Sequence, residues 1–337
     1  MTAVDDRPPV LAPGDADRPR VLQAGLPAGD RIFRGIASSI GLFVLALTGS
    51  IGLFLGYQSI PTLNRYGLRF FTESQWLPER DLIGLSSTLV GTFEVAFVAL
   101  LVGFPLALAT ALYISEYAPP KIKATLVALV DLMAAVPSII YGLWGFFLLQ
   151  PHTIHVARWI SQNLGWMPWF AVDTNPDAAS FAQSRYAASA FIAGLAVSMM
   201  VIPLACAVMR GIFAQAPIGE REAVLALGGT RWGMIKTVVL PFGRGGIIGG
   251  TMLGLGRALG ETIAVLLIIS PAFDLKIRIL TVGTETISGL IAGRFGEATA
   301  AQLSALLTAG FVLFVLTLGI NTVAAVFVSR SRSGSDA

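Results

Sequence analysis

Six long apolar runs constrain the fold of this chain more than any other feature of its sequence. They lie near residues 35–60, 83–115, 122–149, 185–213, 245–271 and 302–328. A helix crosses the hydrocarbon core of a bilayer in roughly 20 residues, and the runs lack the alternating pattern of a membrane β-barrel. Only 13% of the residues are charged, against about 25% in soluble domains. The sequence therefore predicts an all-α membrane protein with six transmembrane helices.

The polar ends of the chain define its predicted domain organisation. Residues 1–33 are rich in Pro, Asp, Arg and Gly and predict a disordered tail. Residues 34–329 form the predicted transmembrane domain, which includes a loop at 214–244, and residues 330–337 form a short second tail. Placing the N-terminus inside puts fourteen of the 23 Lys and Arg residues in cytoplasmic segments and eight outside. The positive-inside rule then predicts that both tails and the loop are cytoplasmic.

Composition and motifs also argue against several classes of function. A net charge of +3, spread over short loops, does not indicate nucleic-acid binding. The single cysteine, Cys206, lies in an apolar run, so an intrachain disulfide is not possible. His152 and His155 have no third metal ligand at suitable spacing, which argues against a metal site. The sequence also shows no pair of a nucleophile and a base of the kind that an enzyme would use. The chain has no G-x-x-x-x-G-K-[ST] motif, so energy from ATP must come through a partner.

Two full charges stand inside the fifth apolar run, in the stretch GLGRALGETIAV at 254–265. An Arg at the centre of a membrane helix costs roughly 2.5–3.5 kcal/mol by insertion scales. On a helical wheel, Arg257 and Glu261 share an arc of about 80° with three glycines spaced four residues apart, beginning at Gly246. Small residues allow close helix packing in membranes. This face is therefore predicted to contact protein or a transport pathway rather than lipid.

The charge pair has two interpretations. Residues four apart on a helix form salt bridges, which lower the cost of burial, although helix-stabilising pairs work better with Glu before Arg. Alternatively, the pair lines a pathway, because a guanidinium is always charged and binds tetrahedral oxyanions through paired hydrogen bonds. We favour the pathway, in which Glu261 orients Arg257 or balances the charge of a bound anion.

Further acids lie within or beside the apolar runs. Asp131 shares a predicted helical face with Ser138 and Gly142, and Glu94 lies in the second run. Acids inside a membrane bundle face its interior. For both residues, a place in the pathway and a structural partnership with a neighbouring helix remain open. Glu116 is expected to be solvated at a helix end.

The loop between the fourth and fifth runs carries a motif of its own. The stretch EREAVLALGGTRWGMIKTVVLP at 220–241 predicts a short amphipathic helix, a break at Gly228 and Gly229, and a second short helix stopped by Pro241. An amphipathic helix outside the membrane lies on lipid or docks in a partner's groove. Because this helix has few basic residues, a protein partner is the favoured interpretation.

This loop resembles the EAA loop of ABC importer permeases, whose pattern is E-A-A-x3-G-x9-I-x-L-P. The chain has Val224 for the third Ala and Val238 for Ile. In that family the loop forms the coupling helix that docks on the ATPase. The resemblance gives this role to Glu222, Ala223, Gly228, Leu240 and Pro241.

Three further stretches extend the resemblance to phosphate permeases of the PstC type, over about residues 83–328. They are GGTMLGLGRALGETIAV at 249–265, AAVPSIIYGLWG at 134–145 and LYISEYAP at 112–119. The resemblance implies a type I ABC importer permease fold, with Arg257 and Glu261 lining the phosphate path. Asp131 stands where the family often has an acidic residue, and is assigned to the path on that ground.

The expected function is that of a transmembrane subunit of an ATP-driven importer, moving inorganic phosphate across the cytoplasmic membrane of a prokaryote. The resemblance implies a PstA-like second permease, two PstB-like ATPase subunits that bind ATP and Mg, and an extracytoplasmic PstS-like phosphate-binding protein. The chain itself is expected to hold no cofactor and to catalyse no reaction. An importer of sulfate or molybdate is an alternative, as is an ion-coupled carrier that uses Glu261, Asp131 and Glu94 as proton sites.

Overall fold

The computed structural model is almost entirely helical and describes residues 28–172 and 185–332. Its α-helices are α1 (Ala28–Tyr66), α2 (Arg69–Thr72), α3 (Ser86–Leu112), α4 (Pro120–Ala135), α5 (Ser138–Trp144), α6 (Gln150–Leu164), α7 (Ala190–Phe213), α8 (Ile218–Ala226), α9 (Arg231–Met234), α10 (Leu240–Phe242), α11 (Arg244–Leu259), α12 (Ile263–Ile268), α13 (Ile287–Arg294) and α14 (Ala300–Arg332). Turns of π-helix cover Tyr113–Tyr117, Gly145–Leu149 and Ile235–Val239, and 3₁₀ turns cover Pro78–Arg80 and Phe295–Glu297. Two-residue strands, β1 (Trp76–Leu77) and β2 (Leu82–Ile83), pair antiparallel and are a small departure from the predicted all-α class.

The chain divides into two units after Ile51. In the described part of the first unit, residues 29–51 of α1 are exposed, as expected of apolar side chains that contact lipid. The helix begins at Ala28, so residues 28–33 are helical rather than part of the predicted tail. Asp30 in the first turn stabilises the helix N-terminus electrostatically. Residues 1–27 of the predicted tail lie outside the described residues.

The number of helices able to cross a membrane agrees with the sequence. Among the described residues, four helices are long and apolar enough alone: Gly29–Tyr66, Ser86–Tyr117, Ala190–Phe213 and Ala300–Val328. Two bent pairs qualify only together: Pro120–Ala135 with Ser138–Leu164, bent by 90°, and Arg231–Phe242 with Arg244–Leu259, bent by 69°. Counting each bent pair as one span gives the predicted six. Helix α14 continues to Arg332, past the domain boundary predicted at residue 329.

The third predicted span, 122–149, is not a single helix. Helix α4 ends at Ala135 and α5 begins at Ser138 on the far side of the 90° bend. A residue before proline is kept out of the α-helical conformation by the proline ring, and Val136 before Pro137 is extended, with ψ 128°. The prediction that Asp131 shares a helical face with Ser138 and Gly142 is therefore wrong, because the bend separates them.

Helix α7 is the centre of packing in the second unit, since it contacts α3, α4, α5, α11 and α12. Its contact with α3 is close because small residues line it. A Cβ built on Gly194 would lie 2.5 Å from Val98 Cβ, less than any real contact allows. Such small-residue interfaces let helix backbones approach closely where lipid offers no hydrophobic driving force.

Helix α11 packs on α7 through the glycine face that the sequence predicts. At each of the three glycines, an added Cβ would meet α7 at less than 3.0 Å. The pairs are Gly246 with Ile212 Cβ at 2.6 Å, Gly250 with the Ala205 carbonyl oxygen at 2.9 Å, and Gly254 with Val201 Cγ1 at 2.6 Å. The predicted contact of this face with protein is thus confirmed.

We expect Gly250→Ala to lower the Tm of the purified protein, because the new Cβ would press on a backbone carbonyl that cannot rotate away. Overpacking of this kind costs about 1–3 kcal/mol. Gly249→Ala is the matched control, since its Cβ would meet nothing within 4 Å and alanine favours the helix. An unchanged Tm for Gly250→Ala would contradict the α11–α7 packing.

Candidate functional site: the Arg257 cavity and the 214–244 loop

The fifth apolar run, 245–271, is broken at its charged stretch. Helix α11 ends at Leu259, α12 begins at Ile263, and Gly260 follows α11 directly as its C-terminal cap. Glycine is the residue most often found where helices end. The predicted sharing of one helical face by Arg257 and Glu261 is therefore wrong, because it assumed a continuous helix.

Glu261 lies in this break and is buried, with 7% of its surface exposed. Its carboxylate Oε1 accepts a hydrogen bond from the Ala264 backbone N–H, at 3.4 Å, in the first turn of α12. Its backbone carbonyl accepts from the Ser288 hydroxyl at 2.6 Å. A carboxylate at a helix N-terminus satisfies a free N–H and is favoured by the helix dipole. Glu261 thus caps the N-terminus of α12 and ties the break to Ser288.

Arg257 is exposed and lines an open cavity of about 600 Å³ between α7, α11 and α14, called the Arg257 cavity below. The other lining residues are Leu204, Met252, Leu253, Gly256, Gly260, Gly310, Leu313, Phe314, Thr317 and Asn321. Arg257 is the single cation among them. No acid within residues 28–172 or 185–332 forms an ion pair with it.

The geometry does not support the salt-bridge interpretation of the charge pair. Within the described parts of the chain, the Arg257 guanidinium has no ion-pair partner, and its five N–H donors form a planar fork that matches oxyanions. Opposite it, α14 contributes Thr317 and Asn321, two neutral polar side chains. The Thr317 hydroxyl donates to the Leu313 carbonyl at 2.9 Å, which leaves its oxygen free to accept. The cavity therefore offers strong donors to an anion beside uncharged polar groups.

Sequence reasoning missed both α14 residues. The signal that points to them is an amide and a hydroxyl four residues apart, Thr317 and Asn321, within an otherwise apolar stretch. Residues four apart lie on one helical face. Their position was visible in the sequence, but their partner across the cavity was not.

Asp131 lies away from this cavity. Its Oδ1 is 3.4 Å from Arg210 Nη2 on α7, and its side chain is 54% exposed. This arrangement matches the structural partnership that the sequence left open. Its assignment to the substrate path remains a prediction.

Glu94 is buried on α3 with 7% of its surface exposed. Its Oε1 has no hydrogen-bond partner in the described part of the chain. Glu94 borders an apolar cavity that is separate from the Arg257 cavity, lined also by Val90, Phe93, Phe97, Trp169, Ile277 and Ile279. The structure thus does not bring Glu94, Asp131 and Arg257 to one site.

A buried polar segment, residues 284–288, lies beside the break between α11 and α12 that contains Glu261. The Ile287 backbone N–H donates to Thr92 Oγ1 of α3 at 3.0 Å, beside the Ser288 bond to Glu261. Glu285, which sequence reasoning also missed, accepts from the Thr286 backbone N–H at 3.0 Å. Burial raises the pKa of the Glu285 carboxyl to about 7. The bond to Thr92 fixes the segment to α3, and the bond from Ser288 fixes it to the break.

The 214–244 loop folds as predicted into two short helical segments with a break between them. Glu222 and Ala223 are exposed on α8, and Gly228 follows α8 with φ +82°, a conformation that favours glycine. Leu240 packs against the buried apolar cluster that ends the bundle here. The second segment ends at Phe242, one residue beyond Pro241.

Some apolar side chains of this loop are buried against the bundle, and others are exposed. Ile235 and Val239 are fully buried against Ile114 and Phe213 of the bundle. Large apolar side chains are nevertheless exposed elsewhere on the loop: Ile218, Leu225, Leu227 and Trp232. Contiguous exposed apolar surface marks a site of interaction.

Glu116, predicted to be solvated, is instead covered by this loop. Its carboxylate Oε2 lies 3.0 Å from Arg221 Nη1, and its side chain is only 3% exposed. The second terminal nitrogen of Arg221 donates to the Phe213 carbonyl. The prediction failed because the loop folds back over the end of α3, a long-range contact that no local pattern reveals.

The chain is similar to transport proteins along nearly its whole length. The phosphate transport system permease protein PstC 2 of Mycobacterium tuberculosis is 36% identical over 310 residues, covering 91% of this chain and 94% of that protein. The PstC protein of Xylella fastidiosa is 35% identical over 302 residues, covering 89% and 91%. The probable PstC protein of Methanocaldococcus jannaschii is 35% identical over 298 residues, covering 86% and 89%.

A solved structure shares the fold. The crystal structure of a bacterial ABC transporter involved in the import of the acidic polysaccharide alginate matches with a TM-score of 0.51 and 19% identity. The match covers 89% of this chain and 99% of that chain. At this identity the likeness shows the fold alone. No protein-family model matches the sequence.

A double-mutant cycle tests whether Arg257 and Glu261 interact. We expect Arg257→Gln and Glu261→Gln to act additively on the free energy of unfolding, with a coupling below about 0.5 kcal/mol, because no ion pair joins them. The matched control is the cycle of Arg221→Gln and Glu116→Gln, whose side chains are in contact and should couple. A coupling between Arg257 and Glu261 above about 1 kcal/mol would restore the salt-bridge interpretation.

Proposed function

The chain belongs to the PstC family of phosphate transport system permease proteins, and on that premise we propose that it moves inorganic phosphate across the cytoplasmic membrane as one subunit of an ATP-driven importer. The observation that carries the proposal is the 36% identity between this chain and the PstC 2 protein of Mycobacterium tuberculosis, over 91% of this chain. The expected fold of a type I ABC importer permease is confirmed, and the chain is a multi-pass membrane protein.

The Arg257 cavity supplies the chemistry that phosphate transport needs. A planar guanidinium forms two parallel charge-assisted hydrogen bonds to a phosphate. Because neutral Thr317 and Asn321, and no second cation, line the cavity with it, the bound anion is held by a single charge. Such a site takes up phosphate and also releases it. Glu261 serves it indirectly, by fixing the break that follows Arg257.

The chain needs partners to drive transport. It contains no ATP-binding P-loop, and permeases of ABC systems act with an ATPase and a substrate-binding protein. The partners proposed are a PstA-like permease, two PstB-like ATPase subunits that bind ATP and Mg, and an extracytoplasmic PstS-like phosphate-binding protein. The exposed apolar residues of the 214–244 loop support a docking role for Glu222, Ala223, Gly228, Leu240 and Pro241.

The proposed mechanism is alternating access with both termini in the cytoplasm. The ATPase subunits move the 214–244 loop, and the bundle opens outward to receive phosphate from the binding protein. The bundle then returns to an inward-open state, and phosphate leaves the Arg257 cavity toward the cytoplasm. Family membership favours phosphate over sulfate or molybdate, and the loop has no purpose in an ion-coupled carrier.

We expect Arg257→Gln to reduce phosphate uptake by about tenfold to hundredfold in a phosphate-transport-deficient host that carries the whole operon. Hydrogen bonds to charged groups are worth about 1.5–3 kcal/mol, and 1.4 kcal/mol corresponds to about tenfold. Arg257→Lys keeps the charge without the fork and should retain part of the activity. Membrane levels of the subunit are measured alongside.

The matched control is Arg69→Gln, which removes an exposed arginine that forms an ion pair with Glu73 and should leave uptake unchanged. Normal uptake by Arg257→Gln would show that phosphate does not pass through this cavity. Failure of Arg257→Gln to assemble with its partners would assign Arg257 a structural role.

The docking role of the loop has its own test. We expect Leu227→Asp to reduce the amount of ATPase that copurifies with the permease by at least about fivefold, because burying a charge at an apolar contact costs more than about 1 kcal/mol. Leu227 is 88% exposed, so the change leaves the fold intact. Leu68→Asp, at 83% exposure outside the loop, is the control. If the Leu227→Asp and Leu68→Asp permeases copurify with equal amounts of ATPase, docking at this surface would be contradicted.

A further inference from the structure

We propose that the buried ion pair between Arg221 and Glu116 is the link that passes movement of the 214–244 loop to the transmembrane bundle. The inference rests on the proposed function, since it presumes that an ATPase moves the loop. It assigns a positioning role to two residues outside the substrate path. Four observations support it.

The first observation is how few contacts tie α8 to the bundle. No residue of α8 is buried, and only Arg221 and Val224 are half-buried. The other residues of α8, including Glu222 and Ala223, face outward. Apart from the chain connection to α7 and the contact with α9, a force applied to the outer face of α8 therefore reaches the bundle through these two side chains.

The second observation is the geometry of the pair. Arg221 Nη1 lies 3.0 Å from Glu116 Oε2, and the other terminal nitrogen of Arg221 donates to the Phe213 carbonyl at the end of α7. One guanidinium therefore joins α8 to both α3 and α7. The Glu116 side chain is 3% exposed and that of Arg221 20% exposed, so water has little access to this contact, and removing Arg221 would leave the Glu116 charge buried.

The third observation is that the acceptor is itself held in place. Glu116 Oε1 accepts from the Ser115 hydroxyl at 2.7 Å, and the Ser115 carbonyl accepts from Lys123 Nζ at 3.2 Å. These residues lie in the π-helical turn Tyr113–Tyr117 and in α4. Single π-turns inside helices are frequent at functional sites. The carboxylate is thus oriented toward Arg221 before the loop moves.

The fourth observation is where α3 leads. Helix α3 packs along α7 and also contacts α11, which carries Arg257 next to the break at Gly260. Packed helices transmit displacement because cores do not deform continuously. A path of direct contacts therefore runs from α8 through Arg221 and Glu116 to α3, and from α3 to the helix of the Arg257 cavity.

The test uses the complete transporter in proteoliposomes, with phosphate uptake and ATP hydrolysis measured in the same vesicles. We expect Glu116→Gln and Arg221→Gln to lower phosphate moved per ATP hydrolysed by at least about tenfold while the ATPase still copurifies. The exchange of charges in Glu116→Arg with Arg221→Glu should restore most of that ratio. A role in fold stability alone would lower protein yield and leave the ratio unchanged.

The matched control is Asp81→Asn, which breaks the exposed ion pair between Arg65 and Asp81 (2.8 Å) and should not alter the ratio. Wild-type ratios for both single variants would overturn the inference, as would an assembled exchange variant that stays uncoupled. Absence of phosphate uptake by the wild-type complex would instead overturn the proposed function.

A distance measurement decides the question if the single variants fail to assemble. Spin labels on Gly219→Cys and Tyr113→Cys report the separation of α8 and the end of α3; both sites are exposed, and the native Cys206 is buried. We expect this distance to change by less than about 2 Å on adding ATP, since the pair moves the elements together. A larger change in the otherwise wild-type complex would show that α8 moves without α3 and would overturn the inference.

Discussion

The bundle has to satisfy every polar group it carries, because the lipid around it supplies neither hydrogen bonds nor screening. The structure meets this constraint in a different way at each charge. Glu261 caps a helix N-terminus, Asp131 pairs with Arg210, and Glu116 pairs with Arg221 under a folded-back loop. Glu94 is buried with Oε1 unpartnered within the described residues and borders an apolar cavity. Arg257 differs from it because a permanently charged donor lines an open cavity beside neutral polar groups, without an ion pair to any described acid. That combination is what identifies the candidate site.

The same constraint explains why the charged run breaks. A continuous helix through residue 261 would leave no free N–H for the Glu261 carboxylate, whereas a break after Leu259 provides one at Ala264. Gly260 follows α11 as its C-terminal cap, and the Ser288 hydroxyl holds the break by donating to the Glu261 carbonyl. The glycines of α11 then bring its backbone against α7. The position of Arg257 is therefore set by the break after Leu259, by the buried Glu261 and by the close packing of α11 on α7.

The features predictable from the sequence were those governed by local pattern. The apolar runs predicted the spanning segments, the glycine spacing predicted that one face of α11 meets protein or a pathway rather than lipid, and Gly228 marked the break in the loop. The break at Gly260 was missed for a physical reason: apolar character continues past Gly260, although helix α11 does not. The pairing of Glu116 with Arg221 joins residues 105 apart in the sequence, and only tertiary folding brings them together.

The central claim is that this chain carries phosphate as part of an ATP-driven importer. The most direct test is uptake of radiolabelled phosphate by proteoliposomes that contain the chain with its proposed permease, ATPase and binding-protein partners. The account predicts uptake that requires ATP and that excess sulfate or molybdate does not inhibit. Uptake without ATP, or transport of sulfate or molybdate in place of phosphate, would contradict it.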